Sequence, residues 1–206
     1  MKTSTEQEIF WAKEFGNSYL ARNSVEELYP NKISLFSEIT KNLTSLTSFL
    51  EFGPNSGVNL LALKNLFPNS LLSAVEINAR AVRSLRELKI CKNVWHDSIL
   101  NFKKEKIADF SFTSGVLIHI NPDHIEKAYE TIYNSSKKYI LICEYYNPSP
   151  VEIEYRGHRD KLFKRDFAGD LLLKYKDLNL INYGFRYNKD NSFPLDDVTW
   201  FLLKKN

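Results

Sequence analysis

Glu51, Gly53, Asn55 and Gly57 occupy alternate positions in Thr47-Ser-Phe-Leu-Glu-Phe-Gly-Pro-Asn-Ser-Gly-Val-Asn59, and a second carboxylate, Glu76, follows 25 residues after the first (76 − 51 = 25). Small residues let a ligand come close to the backbone, and the free N–H groups of a helix start favour polar and anionic ligand atoms. An acidic residue after the next strand can hold the hydroxyls of a ribose. The chemistry these residues suit is the binding of a nucleoside-containing ligand. The elements that must position them are readable alongside. Phe49, Leu50 and Phe52 mark the end of a buried strand, Pro54, Asn55 and Ser56 make a turn, and Val58, Leu60, Leu61, Leu63, Leu66 and Phe67 have helical spacing. Ser70 to Val75 is an apolar run that ends in Glu76, Ile77 and Asn78. Without Glu76 the same pattern would describe an ordinary strand-turn-helix corner.

The spacing separates two ligand classes. A dinucleotide fingerprint needs G-x-G-x-x-G to set backbone against a pyrophosphate, and this chain does not have it. The pattern Glu51-x-Gly53-x-Asn55-x-Gly57 instead resembles motif I of the class I S-adenosylmethionine (SAM) methyltransferases, (D/E)-x-G-x-G-x-G, with Asn55 in place of the middle glycine. Asparagine tolerates positive φ better than most non-glycine residues, so the turn can survive the replacement. An acidic residue in the loop also suits a cationic amino-acid ligand better than a pyrophosphate.

Further candidates stand where later strands end. Lys92 to Ser98 reads as a third strand closing on Asp97 and Ser98, which could touch a ligand or cap the next element. Ile107 to Pro122 reads as a fourth strand and its exit loop, carrying Ser114, Gly115 and His119 to the carboxyl end of the sheet, where an open α/β sheet forms its crevice. Histidine changes charge near neutral pH, so His119 can be a general base or orient a substrate; it can equally pack against the following helix, which Asn121 caps and Pro122 starts. A fifth strand, Lys138 to Pro148, ends in Tyr145, Tyr146 and Asn147. Ser149 to Asp166 reads as a loop dense in Tyr, Arg, His and Lys. Tyr155, Arg156, Lys164 and Arg165 in it can hold carboxylate or phosphate oxygens, or form a solvated charged surface.

The remaining segments frame this core. Thr3 to Phe15 is expected to be a short helix capped by Ser4 or Thr5, and Gly16 to Asn23 a loop, with Trp11 and Tyr19 either covering a ligand or serving as packing aromatics. Pro30-Asn31 is expected to start a second helix with Ile33, Phe36, Ile39 and Leu43 on one face. Ala79 to Leu88 is a helix with Ala81, Val82, Leu85 and Leu88 inside and Arg80, Arg83 and Arg86 as a solvated face. Phe167 to Lys176 is a last helix, and Leu180–Tyr187 with Val198–Leu203 a terminal antiparallel pair. That hairpin fits the end of a class I methyltransferase and fits a simple NAD-binding domain poorly.

The 206 residues suffice for a single α/β domain spanning 1–206. A net charge of +3 allows an anionic substrate but is no footprint for nucleic acid. Cys91 and Cys143 are expected to be buried free thiols, which fits a reducing compartment. No Cys or His pair has metal-ligand spacing, so no metal is expected. No signal-peptide-like or membrane-spanning run is present, and a soluble cytoplasmic protein without a membrane partner is expected.

Four segments carry a closer resemblance: Glu6-Gln-Glu-Ile-Phe-Trp11-Ala-Lys-Glu-Phe-Gly16-Asn-Ser-Tyr19, Gly115-Val-Leu-Ile-His-Ile-Asn-Pro122, Glu144-Tyr-Tyr-Asn-Pro-Ser-Pro150, and Tyr155-Arg-Gly157 through Lys164-Arg-Asp-Phe167. They are similar to the pseudaminic acid biosynthesis-associated methyltransferases, small class I enzymes linked to nonulosonic-acid sugar pathways. The resemblance implies a Rossmann-like fold: a seven-stranded, mostly parallel sheet with helices on both faces, a C-terminal antiparallel hairpin, and N-terminal helices over residues 1–45 covering the cofactor pocket. It implies SAM as cofactor, held by Glu51, Gly53, Asn55, Gly57, Glu76, Ile77, Ser98, Ser114 and Gly115, with Asp97 at the adenine and Trp11 and Tyr19 over the site. Methyl transfer would go to an oxygen or nitrogen of a small, anionic, sugar-related acceptor, a sugar acid or nucleotide sugar, with His119 as base. Tyr145, Tyr146, Asn147, Tyr155, Arg156, Lys164 and Arg165 would bind that acceptor. Competing readings are a methyltransferase acting on RNA, protein or another small molecule, a non-catalytic SAM-binding protein, and an NAD-dependent oxidoreductase.

Overall fold

A computed structural model describes residues 5–22 and 25–206. Its centre is a seven-stranded sheet. Four parallel pairings join β1 (Ser48–Phe52), β2 (Leu71–Glu76), β3 (Cys91–His96), β4 (Ala108–Ser114) and β5 (Ser136–Glu144). The long terminal hairpin of β8 (Leu178–Arg186) and β9 (Val198–Lys205) adds antiparallel through β9, giving the order β3-β2-β1-β4-β5-β9-β8. The central strands are continuous apolar runs because both faces are covered. Alternate residues go to opposite sides: Phe49, Leu141 and Leu202 pack under α3 (Val25–Thr40) and α4 (Val58–Leu66), whereas Leu50, Ile142 and Leu203 pack under α6 (Ile125–Ser135) and α7 (Phe167–Lys174). The helix α5 (Ala79–Glu87) buries Ala81, Val82 and Leu85 and leaves its three arginines in solvent, as their spacing predicts; Leu88, at its end, is exposed.

Besides Leu88, expected inside, and Cys91, expected buried, three readings of secondary structure are corrected. The N-terminal segment is two helices, α1 (Glu6–Ala12) and α2 (Glu14–Arg22), so the polar stretch after Phe15 is helix rather than loop. Thr5 caps α1 in a full capping box with Glu8; Ser4 and Asn23 lie outside the described residues. The chain folds back on itself between the two helices, and a Cβ on Gly16 would stand 1.9 Å from the Trp11 carbonyl oxygen, so only glycine fits there. Packing thus overrides the weak helix propensity of Gly16, Asn17 and Ser18. Second, α3 begins at Val25, with Pro30 inside it. Proline already has a helical φ and removes one i to i−4 bond, a loss the helix absorbs here because Leu35, Phe36 and Ile39 anchor its later turns. Third, Ser149–Asp166 is mostly a two-stranded hairpin, β6 (Val151–Tyr155) with β7 (His158–Lys164), turned at Arg156 and Gly157, both of positive φ. Cys143 is buried and Cys91 only half-buried, since β3 is an edge strand; both are free thiols.

Candidate functional site

The carboxyl ends of β1, β2, β3 and β4 converge on one cavity of about 690 Å³, within the size range of small-molecule and cofactor sites, about 300–1,000 Å³. The β1 turn supplies its first wall. Gly53, Asn55 and Gly57 all take positive φ, at 68°, 50° and 80°. Asn55 therefore does what a middle glycine would do, and the departure from the glycine pattern is conformationally silent. A Cβ on Gly53 would come within 2.6 Å of Val116, so the turn after β4 presses directly on this loop.

Glu76 closes the loop from the next strand. Its Oε2 accepts the Asn55 N–H at 2.9 Å and its Oε1 the Asn78 N–H at 2.7 Å. Burial raises its pKa, opposed by these backbone donors. A carboxylate has about four acceptor positions, so capacity remains for ligand hydroxyls. Ile77, Asp97 and Ser98 continue the wall; Asp97 uses Oδ1 to accept the Ser98 N–H at 2.8 Å. Asn55 Oδ1 and Trp11 Nε1, of two residues that line the cavity, are buried without a protein partner.

Glu51 sits beneath the loop, not in the cavity wall. It is fully buried, accepts from Asn59 Nδ2 at 2.6 Å through Oε1, and has no partner at Oε2. Burial pushes its pKa up to about 8, partly offset by Asn59 and by the charge of Lys32. Asn59, Asn78 and Lys32 were not among the sequence candidates. Asn78 was findable as the residue before a helix: its Oδ1 caps α5 by accepting from Arg80 and Ala81 N–H, while its Nδ2 donates to the Trp11 carbonyl at 3.2 Å and to Asn17 Oδ1 at 3.0 Å.

His119 lies on a 3₁₀ turn, Leu117–His119, just past β4. Glu144, the last residue of β5, holds that turn by accepting the Val116 and Ile118 N–H groups at 3.1 and 3.4 Å. Burial raises the Glu144 pKa to about 7. His119 Nδ1 lies 2.6 Å from the Lys161 carbonyl oxygen of β7. A carbonyl can only accept, so Nδ1 carries the proton and Nε2 presents its lone pair. The ring is 8% exposed and stands between Trp11 and Tyr155, at centroid distances of 4.5 and 4.9 Å. Burial lowers its pKa to about 4, so the imidazole is neutral at physiological pH.

The roof is made of α1, α2 and the β6–β7 hairpin. Gln7 Nε2 donates to the Asp160 carbonyl at 2.9 Å, Lys161 reaches Glu6 at 3.6 Å, and His158 meets the rings of Phe10 and Phe15. Trp11, Tyr19, Tyr145, Tyr155 and Arg156 line the cavity beneath. Of the cofactor candidates Glu51 and Gly57 do not line it, and of the acceptor candidates four do not reach it. Tyr146 is exposed and packs on Phe201, Asn147 donates to the Ser149 carbonyl, Lys164 lies over the Tyr145 ring, and Arg165 pairs with Asp170 at 2.7 Å. Ser114 and Gly115 line the floor, where a Cβ on Gly115 would meet nothing within 4 Å. Leu195 and Asp196, from the β8–β9 loop, complete the far wall. Among the described residues, no three His, Cys, Asp or Glu side chains cluster as a metal site would, and no helix is long and apolar enough to cross a membrane.

No protein-family model and no curated protein matches the sequence. Solved structures match its shape. One is the Burkholderia thailandensis 1,6-didemethyltoxoflavin-N1-methyltransferase with bound 1,6-didemethyltoxoflavin and S-adenosylhomocysteine, at a TM-score of 0.73 and 12% identity over 100% of this chain and 92% of that one. Another is the magnesium protoporphyrin IX methyltransferase of Synechocystis with bound SAM, at 0.67 and 9% identity over 100% of both chains. A third is the N-methyltransferase NodS of Bradyrhizobium japonicum with S-adenosylhomocysteine, at 0.62 and 13% identity over 91% of this chain and 90% of that one. The fold is that of the class I methyltransferases. Within the methyltransferase fold the positive-φ loop, Glu76 and Asp97 stand in one row along the carboxyl edge of the sheet, and the roof lies above them.

Proposed function

We propose that this protein is a SAM-dependent methyltransferase acting on a small, sugar-related acceptor. The observation that carries the reading is the loop Gly53–Gly57, left-handed at its three spaced positions and tied through Asn55 to the buried Glu76. The residues fit the cofactor: Glu76 has acceptor capacity for ribose hydroxyls, Asp97 keeps an oxygen for the adenine amino group, and the loop can take the methionine portion against backbone. Asn55 Oδ1 is a buried acceptor waiting for a donor. SAM supplies an already activated methyl on a sulfonium, so the protein's task is alignment and exclusion of water. The roof of α1, α2 and the hairpin covers the cavity and would limit water around a bound cofactor. His119 directs a bare Nε2, accepting a hydrogen bond from the acceptor's O–H or N–H and so aiming its lone pair; with a pKa near 4 it orients more than it stores a proton.

The four resembling segments, together with Tyr145, Tyr155 and Arg156 under the roof, support a sugar acid of the nonulosonic class. Arg156 is the hairpin's cation at the cavity and would pair with the acceptor's carboxylate. Calorimetric titration with SAM, S-adenosylhomocysteine and NAD tests the core. Saturable binding of the first two without NAD is expected; binding of NAD alone, or of none, refutes it. Methyl transfer to nonulosonic acids, followed by mass, then tests the acceptor.

A further inference from the structure

Glu144 ends β5 on an apolar face. Strand alternation puts it in line with Ile140 and Ile142, which pack beneath α6 and α7. It is 2% exposed, and among the described residues no cation pairs with it. A carboxylate buried without a counter-charge is costly unless backbone donors surround it. The donors here are the N–H groups of Val116 and Ile118, at 3.1 and 3.4 Å. Both stand at the start of the 3₁₀ turn Leu117–His119, where N–H groups have no partner within the helix.

That turn carries His119, whose own N–H bonds back to the Val116 carbonyl at 2.9 Å. The ring is held from the opposite side, by the Lys161 carbonyl of β7 at 2.6 Å from Nδ1. His119 therefore has two anchors. Glu144, in the sheet, bonds the backbone of its turn, and Lys161, in the roof, fixes the rotation of its ring. The turn does not depend on Glu144 for its existence, because Leu117 and Ile118 are buried in the core under α6 and α7. Apolar burial has no direction, whereas hydrogen bonds to a fixed carboxylate do. What Glu144 adds is precision of placement, and an error of about 1 Å in a reacting geometry can cost about 10²-fold in rate.

We propose that Glu144 is the positioning residue of His119, aiming its Nε2 at the methyl acceptor through the backbone of the turn and without touching the ring. The effect on turnover rests on the methyltransferase reading above; the placement of the ring does not. A carboxylate accepts at both oxygens, while a glutamine in the same space accepts at one and presents an NH₂ to the other N–H. Glu144→Gln therefore unsettles the turn with almost no change in volume.

Two measurements on the full chain read the proposal. Heteronuclear NMR of the imidazole nitrogens in the ligand-free protein needs no acceptor. Wild-type His119 is expected as the single Nδ1–H tautomer, and Glu144→Gln as a mixture of both, with shifted Val116 and Ile118 amide resonances. Turnover on a nonulosonic acid is the second. Glu144→Gln is expected to lower kcat by about 10- to 10²-fold while SAM affinity in calorimetry stays within a few-fold. In the His119→Ala background it is expected to add no further loss, since the ring it positions is gone. Should Glu144→Gln not fold, Glu144→Asp, which keeps the charge but withdraws it from the turn, is expected to show the same pattern. Unchanged ring signals, an unchanged kcat, or losses that multiply with those of His119→Ala overturn the proposal. A wild type that binds no SAM removes the methyltransferase reading instead, with the tautomer populations still deciding the placement.

Discussion

The floor and the roof of the cavity are built on different principles. The floor is strand ends and the turns that follow them, held by backbone: Glu76 grips two N–H groups, Glu144 grips two more, and Gly53 leaves just enough room for Val116. The roof is helices and a hairpin from distant parts of the chain, meeting through a side-chain amide, rings and one ion pair whose Glu6 side is exposed, with Gln7 and Asp160 153 residues apart. Backbone ligation of buried carboxylates gives a fixed geometry, whereas a few partly solvated contacts can open and re-form. A ligand common to many enzymes can be served by the rigid part, and a particular acceptor by the adjustable one.

Substitutions can break that division of labour. The largest effect is expected for Glu76→Ala, which removes the proposed ribose ligand and releases the loop together: SAM affinity should fall by about 10³-fold in calorimetry, as befits two charge-assisted hydrogen bonds. Next, His119→Ala should lower turnover by about 10²-fold while leaving SAM affinity within a few-fold. The wild-type rate should show no histidine inflection near pH 6.5, because this imidazole stays neutral down to about 4. An equal loss of affinity and turnover would place His119 in the floor. A smaller effect concerns Glu51. Its folded pKa, near 8, exceeds the ordinary 4.5, so the stability it contributes is complete below pH 4.5 and is lost as pH rises through 8. In thermal melts of the ligand-free protein, Glu51→Gln should flatten the decline over that window by up to about 1.4 kcal/mol per pH unit. The smallest is Lys161→Ala in the roof. It should change stability by less than about 1 kcal/mol, because Glu6 is largely solvated, and yet speed SAM release in stopped-flow.

The same division explains what could be read from the chain. The floor was legible because its signals are local: apolar runs end at small residues, and Glu51, Gly53, Gly57 and Glu76 lie at fixed intervals. The separate strands were readable as apolar or alternating runs, and their union in one seven-stranded sheet with an antiparallel end followed from the resemblance to class I methyltransferases. The hairpin was not legible as strands. Both its faces meet solvent along most of β6, so Glu152 and Glu154 alternate with Val151 and Ile153 without a buried side, and only the Arg156-Gly157 turn announces it. Lys164 and Arg165 looked available because cations at a loop suggest anions; the fold engages one with the Tyr145 ring and the other with Asp170. Asn78 was hidden differently, since its cap was local but its reach to Trp11 and Asn17 was not.

That reach has a kinetic meaning. Asn78 gives its N–H to Glu76 and its side-chain amide to the first two helices, so the proposed ribose ligand and the fastening of the roof share one residue. If the cofactor enters and leaves beneath the roof, that fastening must open first. Turnover would then inherit the opening rate of that fastening, and the spent cofactor would leave on the roof's schedule rather than at the speed of its own dissociation.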